Sequence, residues 1–133
     1  MSTTQVVLYD TTLRDGCQRE GLSLSLGDKL KIAQRLDQLG IHYIEGGYPG
    51  SNPRDQEFFV RARQMTWQHA TITAFGSTRY KANRAEDDPN LQALLDSQAS
   101  VCTLVCKFSE HHVRQVLETS LEENLAMIAD SIR

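Results

Sequence analysis

Strand-like and helix-like segments alternate four times along this 133-residue chain, and no two-residue hairpin turn stands between any pair of strands. Strands joined only through helices must run parallel, with right-handed crossovers. The fold class is therefore α/β. Strand one is expected at Val6 to Thr11, strand two at Ile41 to Gly46, strand three at Thr71 to Phe75 and strand four at Val101 to Cys106. Two closures remain open: a doubly wound sheet, or the first four β/α units of an eight-stranded TIM barrel, whose full form needs ~250 residues.

The helices announce themselves by their starts. Ser25-x-x-Asp28 has capping-box spacing and leads into Leu26, Leu30, Ala33, Leu36 and Leu39 on one face, with Gly40 as the stop. Asn52-Pro53 and Asp88-Pro89 each place an N-cap before a proline at the first helical position. The first of these helices is expected to turn Phe58, Phe59 and Ala62 inward, the second Leu91, Leu94 and Leu95. Ser109 is expected to cap a helix carrying Val113, Val116 and Leu117. Ser120-x-x-Glu123 opens a last one with Leu121, Leu125, Ile128 and Ile132 inward.

Charge and composition narrow the partners. Fourteen basic against seventeen acidic residues, without a basic block, give no electrostatic reason to expect nucleic acid or an anionic membrane. No apolar run approaches the ~18 residues of a membrane helix. Met1-Ser2-Thr3-Thr4-Gln5 lacks the charged and apolar regions of an export signal, so the cytoplasm is expected. Three cysteines argue against a disulfide framework, and Cys102 and Cys106 are read as buried strand residues. Small molecules are the expected partners.

The chemistry concentrates where strand one ends. Val6-Val7-Leu8-Tyr9 runs into Asp10 and then Arg14-Asp15-Gly16, so charges sit at the rim of a core, on the carboxyl face where α/β folds place ligands. Arg14 and Asp15 also admit a plainer reading as a solvated surface pair. The two-residue strand period sets Ile41, Tyr43 and Glu45 on one side of strand two and His42 and Ile44 on the other, so Glu45 ends an inward row beside the Arg14 turn. Asp15 can hold a hard divalent ion, and Arg14 can stabilise charge developing on a keto or enolate oxygen. Glu45 can orient Arg14 or simply pair with it.

Other candidates carry less. Gly46-Gly47-Tyr48-Pro49-Gly50-Ser51-Asn52 precedes a helix but lacks the ending of a P-loop and the spacing of a dinucleotide fingerprint. Adjacent His111 and His112 point in different directions on a helix, so one ion is not expected to take both. His42 and His69 read as structural or exposed.

Asp10-Thr11-Thr12-Leu13-Arg14-Asp15-Gly16-Cys17-Gln18 resembles the first-strand motif of the isopropylmalate synthase, homocitrate synthase and hydroxymethylglutaryl-CoA lyase superfamily. Ile44-Glu45-Gly46-Gly47-Tyr48-Pro49-Gly50-Ser51-Asn52-Pro53-Arg54-Asp55 resembles its second-strand motif, in the form typical of citramalate synthases. Ala74 to Arg79 and Leu121 to Ile128 extend the resemblance over nearly the whole chain. It implies that residues 1–133 are the amino-terminal half of a barrel that condenses acetyl-CoA with a 2-keto acid. Here the keto acid would be pyruvate, giving citramalate on an isoleucine route, with isopropylmalate or homocitrate synthase as the alternatives.

By the same resemblance, Asp15 matches the metal-ligand carboxylate, Arg14 the arginine that polarises the keto oxygen, and Glu45 the acid that supports it. Gln18 and His112 match substrate-pocket positions. Magnesium or manganese suits the ligand type better than zinc. The family's His-x-His metal pair and its enolising acid belong to later strands, beyond Arg133, and a homodimer is implied at full length. Lys107-Phe108-Ser109 departs from the family's Lys-Ser-Trp. A half barrel is expected to associate with itself or with the missing half, and a non-catalytic interaction module is the alternative from another class.

Overall fold

A computed structural model describes residues 6–133 as one parallel sheet of order β1-β2-β3-β4, with β1 at Tyr9–Asp10, β2 at Tyr43–Gly47, β3 at Thr71–Ser77 and β4 at Val101–Val105. Each strand pairs with the next in sequence, as successive staves of a barrel do. Met1 to Gln5, where no export signal was expected, lie outside the described residues. The helices are α1 (Leu26–Gln38), α2 (Pro53–Ala62), α3 (Pro89–Ser97), α4 (Glu110–Gln115) and α5 (Leu121–Ile132).

Most helix starts follow the sequence signals. The Ser25 hydroxyl accepts from Asp28 N–H while the Asp28 carboxylate accepts from Ser25 N–H, a complete capping box. Asn52, Asp88 and Ser120 cap α2, α3 and α5 through their side chains, whereas Ser109 makes no such bond to α4. Gly40 takes a left-handed φ of 86° just past α1, a conformation that favours glycine.

The core lies between the sheet and its helices, around Leu13, Ala33, Ile44, Phe58, Phe59 and Ala74. Phe58 and Phe59 meet edge to face, their centroids 5.5 Å apart. Phe58 packs so closely over β2 that a Cβ on Gly46 would clash with its ring, 2.3 Å from the nearest ring carbon.

Several expected inward residues face outward. The ladder of strand one is confined to Tyr9–Asp10, and Val6, Val7 and Leu8 are exposed, because β1 is an edge strand with one neighbour. Leu8 N–H donates to His42 Nδ1, a side chain standing where a further ladder partner would be. Leu39 falls at the α1 C-cap and is exposed, and Leu95 and Val116 are also exposed. On α5 the buried residues are Asn124 and Met127, not Leu125 or Ile132. Cys102 is exposed and Cys106 half-buried, since β4 is the other edge of the sheet.

Candidate active site

Three residues gather at the carboxyl ends of β1 and β2. Arg14 leaves a turn in which the N–H groups of Arg14, Asp15 and Gly16 all donate to Thr11 O, so the backbone doubles back over the strand end. Glu45 stands on β2 with its side chain 2% exposed. Arg14 Nε donates to Glu45 Oε1 at 2.5 Å, and Arg14 Nη1 lies 3.3 Å from Asp15 Oδ1. The guanidinium also lies over the Phe75 ring of β3, 3.9 Å from its centroid. A cation held on one edge by a carboxylate and on one face by a ring is fixed in direction as well as place.

The sites expected from sequence divide. Arg14 and Glu45 meet, and Asp15 touches Arg14 while its own side chain is 62% exposed. Gln18 is exposed on the short 3₁₀ turn Gly16–Gln18 and lines a cleft next to Arg14. His112 is exposed on α4, its ring 6.0 Å from that of His111, and makes no side-chain bond to the Arg14 group. Asp10 turns away from the cleft: its carboxylate accepts from both the N–H and the hydroxyl of Thr12.

That cleft, of about 500 Å³, is walled by Leu13, Arg14, Cys17, Gln18, Tyr48 and Arg54 among others. Its floor holds a buried ion pair absent from the sequence reading: Lys29 Nζ donates to Asp55 Oδ1 at 2.6 Å. Asp55 Oδ2 accepts from Tyr48 N–H, which ties the Gly47-to-Asn52 loop to the start of α2. Burial pushes the Cys17 thiol up, so it stays protonated at neutral pH.

A hydroxyl network also went unread. Tyr9 Oη sits 2.6 Å from Glu45 Oε2, 2.7 Å from Thr103 Oγ1 and 3.0 Å from Thr73 Oγ1, joining all four strands on their inward face. A signal for it existed. Counting in twos from Glu45, across to its partner Thr73, on to Phe75 and across to its partner Thr103 keeps both threonines on the inward face.

As to metals, Asp15 Oδ2 has no hydrogen-bond partner among the described residues, which fits one oxygen of a hard cation's shell. Among the same residues no group of three His, Cys, Asp or Glu side chains could hold an ion.

The HMGL-like family profile matches residues 5–133. The chain is 56% identical over 126 residues to an (R)-citramalate synthase of Streptomyces coelicolor, covering 94% of this chain and 24% of that protein. It is 54% identical over 129 residues to an (R)-citramalate synthase of Synechocystis, covering 97% and 24%. A 2-isopropylmalate synthase of Heliobacterium modesticaldum is 33% identical over 129 residues, covering 97% and 24%. The chain thus spans about a quarter of the length of these relatives. Among solved structures, an HMG-CoA lyase from Acinetobacter baumannii in complex with coenzyme A and 3-methylmalate superposes with a TM-score of 0.70 at 17% identity. It covers 99% of this chain and 42% of that one. The fold is thereby the first four β/α units of a TIM barrel.

Proposed function

Since the chain belongs to the HMGL-like family, we propose that it supplies the amino-terminal half of a catalytic barrel condensing acetyl-CoA with pyruvate to give citramalate. The observation that carries the chemistry is the Arg14 guanidinium, gripped by Glu45 and held over the Phe75 ring beside an open cleft. The choice of keto acid is supported by 47–56% identity to citramalate synthases, against 33% to 2-isopropylmalate and homocitrate synthases.

In this reading the enolate carbon of acetyl-CoA adds to the keto carbon, and negative charge grows on the former keto oxygen. Arg14 faces that charge and cannot lose its proton, so it stabilises the oxyanion without entering the acid–base steps, a contribution of ~3 kcal/mol for a well-placed donor. Glu45 keeps the guanidinium aimed. Asp15 would hold a divalent ion, magnesium or manganese by ligand type, that polarises the keto acid when bound; its other ligands and the enolising base lie outside the described residues. Gln18 and His112 are proposed to line the substrate pocket. Hydrolysis of the thioester then releases coenzyme A.

The same reading places the enzyme in the cytoplasm, on an isoleucine route, as a homodimer at full length. Assaying the full-length protein with acetyl-CoA, a divalent metal and each of pyruvate, 2-ketoisovalerate and 2-ketoglutarate tests it. Release of coenzyme A fastest with pyruvate is expected. Preference for another keto acid, or no release at all, overturns the assignment.

A further inference from the structure

We infer that Tyr9 is a positioning residue for this reaction, fixing Glu45 and, through Glu45, the direction in which Arg14 presents its guanidinium. This rests on the function proposed above and adds a residue to it.

Tyr9 pairs with Tyr43, two residues before Glu45 on the neighbouring strand, so its ring leans along the inward face and carries the hydroxyl up to the Glu45 rung. A phenol hydroxyl has one proton and two acceptor sites, and an ionised carboxylate only accepts. The proton therefore goes to Glu45 Oε2 at 2.6 Å, leaving the lone pairs for the hydroxyls of Thr103 and Thr73 at 2.7 and 3.0 Å. All three bonding positions of the phenol oxygen are used. Burial raises the Tyr9 pKa above the ordinary phenol value, with the Glu45 hydrogen bond adding to it, so Tyr9 remains a donor throughout the neutral range.

The consequence falls on Glu45. Its last torsion is broad, and a carboxylate held by one donor alone can turn. Here each oxygen has its own donor, Arg14 Nε on Oε1 and Tyr9 on Oε2, so rotation breaks both bonds together. Arg14 is thereby bound through Nε, with Nη1 toward Asp15 and its face on Phe75. Without the phenol hydroxyl the carboxylate turns and the guanidinium drifts.

The test uses the full-length protein carrying Tyr9→Phe, with acetyl-CoA and pyruvate as substrates. We expect kcat to fall about tenfold while the KM for acetyl-CoA stays within about twofold, since misaimed transition-state contacts cost turnover rather than cosubstrate binding. Added to Glu45→Gln, the same substitution should cost less than about twofold more, because both act through one carboxylate. A kcat within twofold of the parent, or losses that multiply across the pair, overturns the inference. If Tyr9→Phe does not fold, 3-fluorotyrosine in place of Tyr9 supplies a ¹⁹F line that should move on Glu45→Gln and on Arg14→Lys. A line unmoved by either overturns the coupling. The fluorine measurement needs no turnover, so an inactive parent protein would defeat the proposed function while leaving this coupling separately measurable.

Discussion

Arg14 donates its Nε–H to Glu45 Oε1 at 2.5 Å across 31 residues of chain, which binds the turn after β1 to the end of β2. Both partners are largely removed from water, the Arg14 side chain at 18% and Glu45 at 2% exposure. Truncating one member of such a pair leaves the other charge without its partner, which is why loss costs more than the pair itself contributes. In the full-length protein Glu45→Gln is expected to lower kcat about 10²-fold, the scale of one misplaced oxyanion donor. Steady-state kinetics with pyruvate checks this, and a kcat within threefold of the parent would remove Glu45 from the machinery.

Lys29 and Asp55 form the second buried pair, at 4% and 12% side-chain exposure, and they join α1 to the loop over the cleft. Lys29→Met should destabilise the fold by about 3 kcal/mol, because it strands a carboxylate that is mostly out of water. The double variant Lys29→Met/Asp55→Asn should lose less than the sum of the single changes. Urea unfolding of the catalytic domain in the full-length protein measures both values, and strict additivity would show that the pair is not coupled.

Asp37 gives the fold an acid-side dependence. Burial alone would disfavour its charge, but the N–H groups of Gln68, His69 and Ala70 donate to the carboxylate and hold its pKa below the usual range. With an unfolded value of ~3.9, the stabilisation is complete above that pH and is lost as pH falls through the lower folded value. Asp37→Asn should reduce stability at neutral pH by about 1–3 kcal/mol and flatten the loss on acidification. Denaturant midpoints from neutral pH down to the acid limb check the sign. A variant as steep as the parent would show that other carboxylates carry the effect.

Local signals were the legible part of this fold. Ser25-x-x-Asp28, Asn52-Pro53 and Asp88-Pro89 act within one turn of backbone, so they report helix starts whatever surrounds them. Glu45 could be placed because strand parity is equally local. Burial on the edges could not: Leu125 and Ile132 satisfy the helical period, yet no further β/α unit covers that face among the described residues. Charged core residues hid for a different reason. Lys29 lies on the apolar stripe of α1 and Arg79 follows β3, but a buried cation is recognised only once its partner is located in space, 26 or about 50 residues away. The Tyr9 network needs all four strands in register before its oxygen atoms meet.

Arg79 holds α5 in place. Its side chain is 7% exposed, donates to Glu123 and Asp130 on that helix and to Tyr80 O, and its N–H donates to Ser131 Oγ. The Glu123 hydrogen bond and then that of Asp130 outweigh burial and raise its pKa, so the charge persists at any working pH. Arg79→Met should loosen α5 locally rather than unfold the sheet, since the strand ladders do not depend on it. Amide exchange across residues 121–132 is expected to speed up by at least about tenfold, equal to ~1.4 kcal/mol of lost local protection, with β2 and β3 unchanged. Uniform acceleration through the sheet would show instead that Arg79 supports the whole core.

The edges of the sheet predict how the 133-residue chain behaves by itself. β1 and β4 each have one neighbour, and Val6, Val7, Leu8, Val105 and Phe108 are 69%, 54%, 49%, 40% and 91% exposed. Unpaired backbone beside exposed apolar side chains is a template for another strand, and water covers both poorly. Because the strands are parallel and in sequence order, β4 of one copy can meet β1 of another without reversing direction, which would continue the barrel. Light scattering on the purified chain should therefore give a mass of at least twice 15.0 kDa, or aggregate. Placing lysine at Val105 and Phe108 should shift the distribution toward monomer, as charged edges do in natural sheets. A compact monomer of the parent sequence with a cooperative melt would mean that the open face is not sticky enough to drive association.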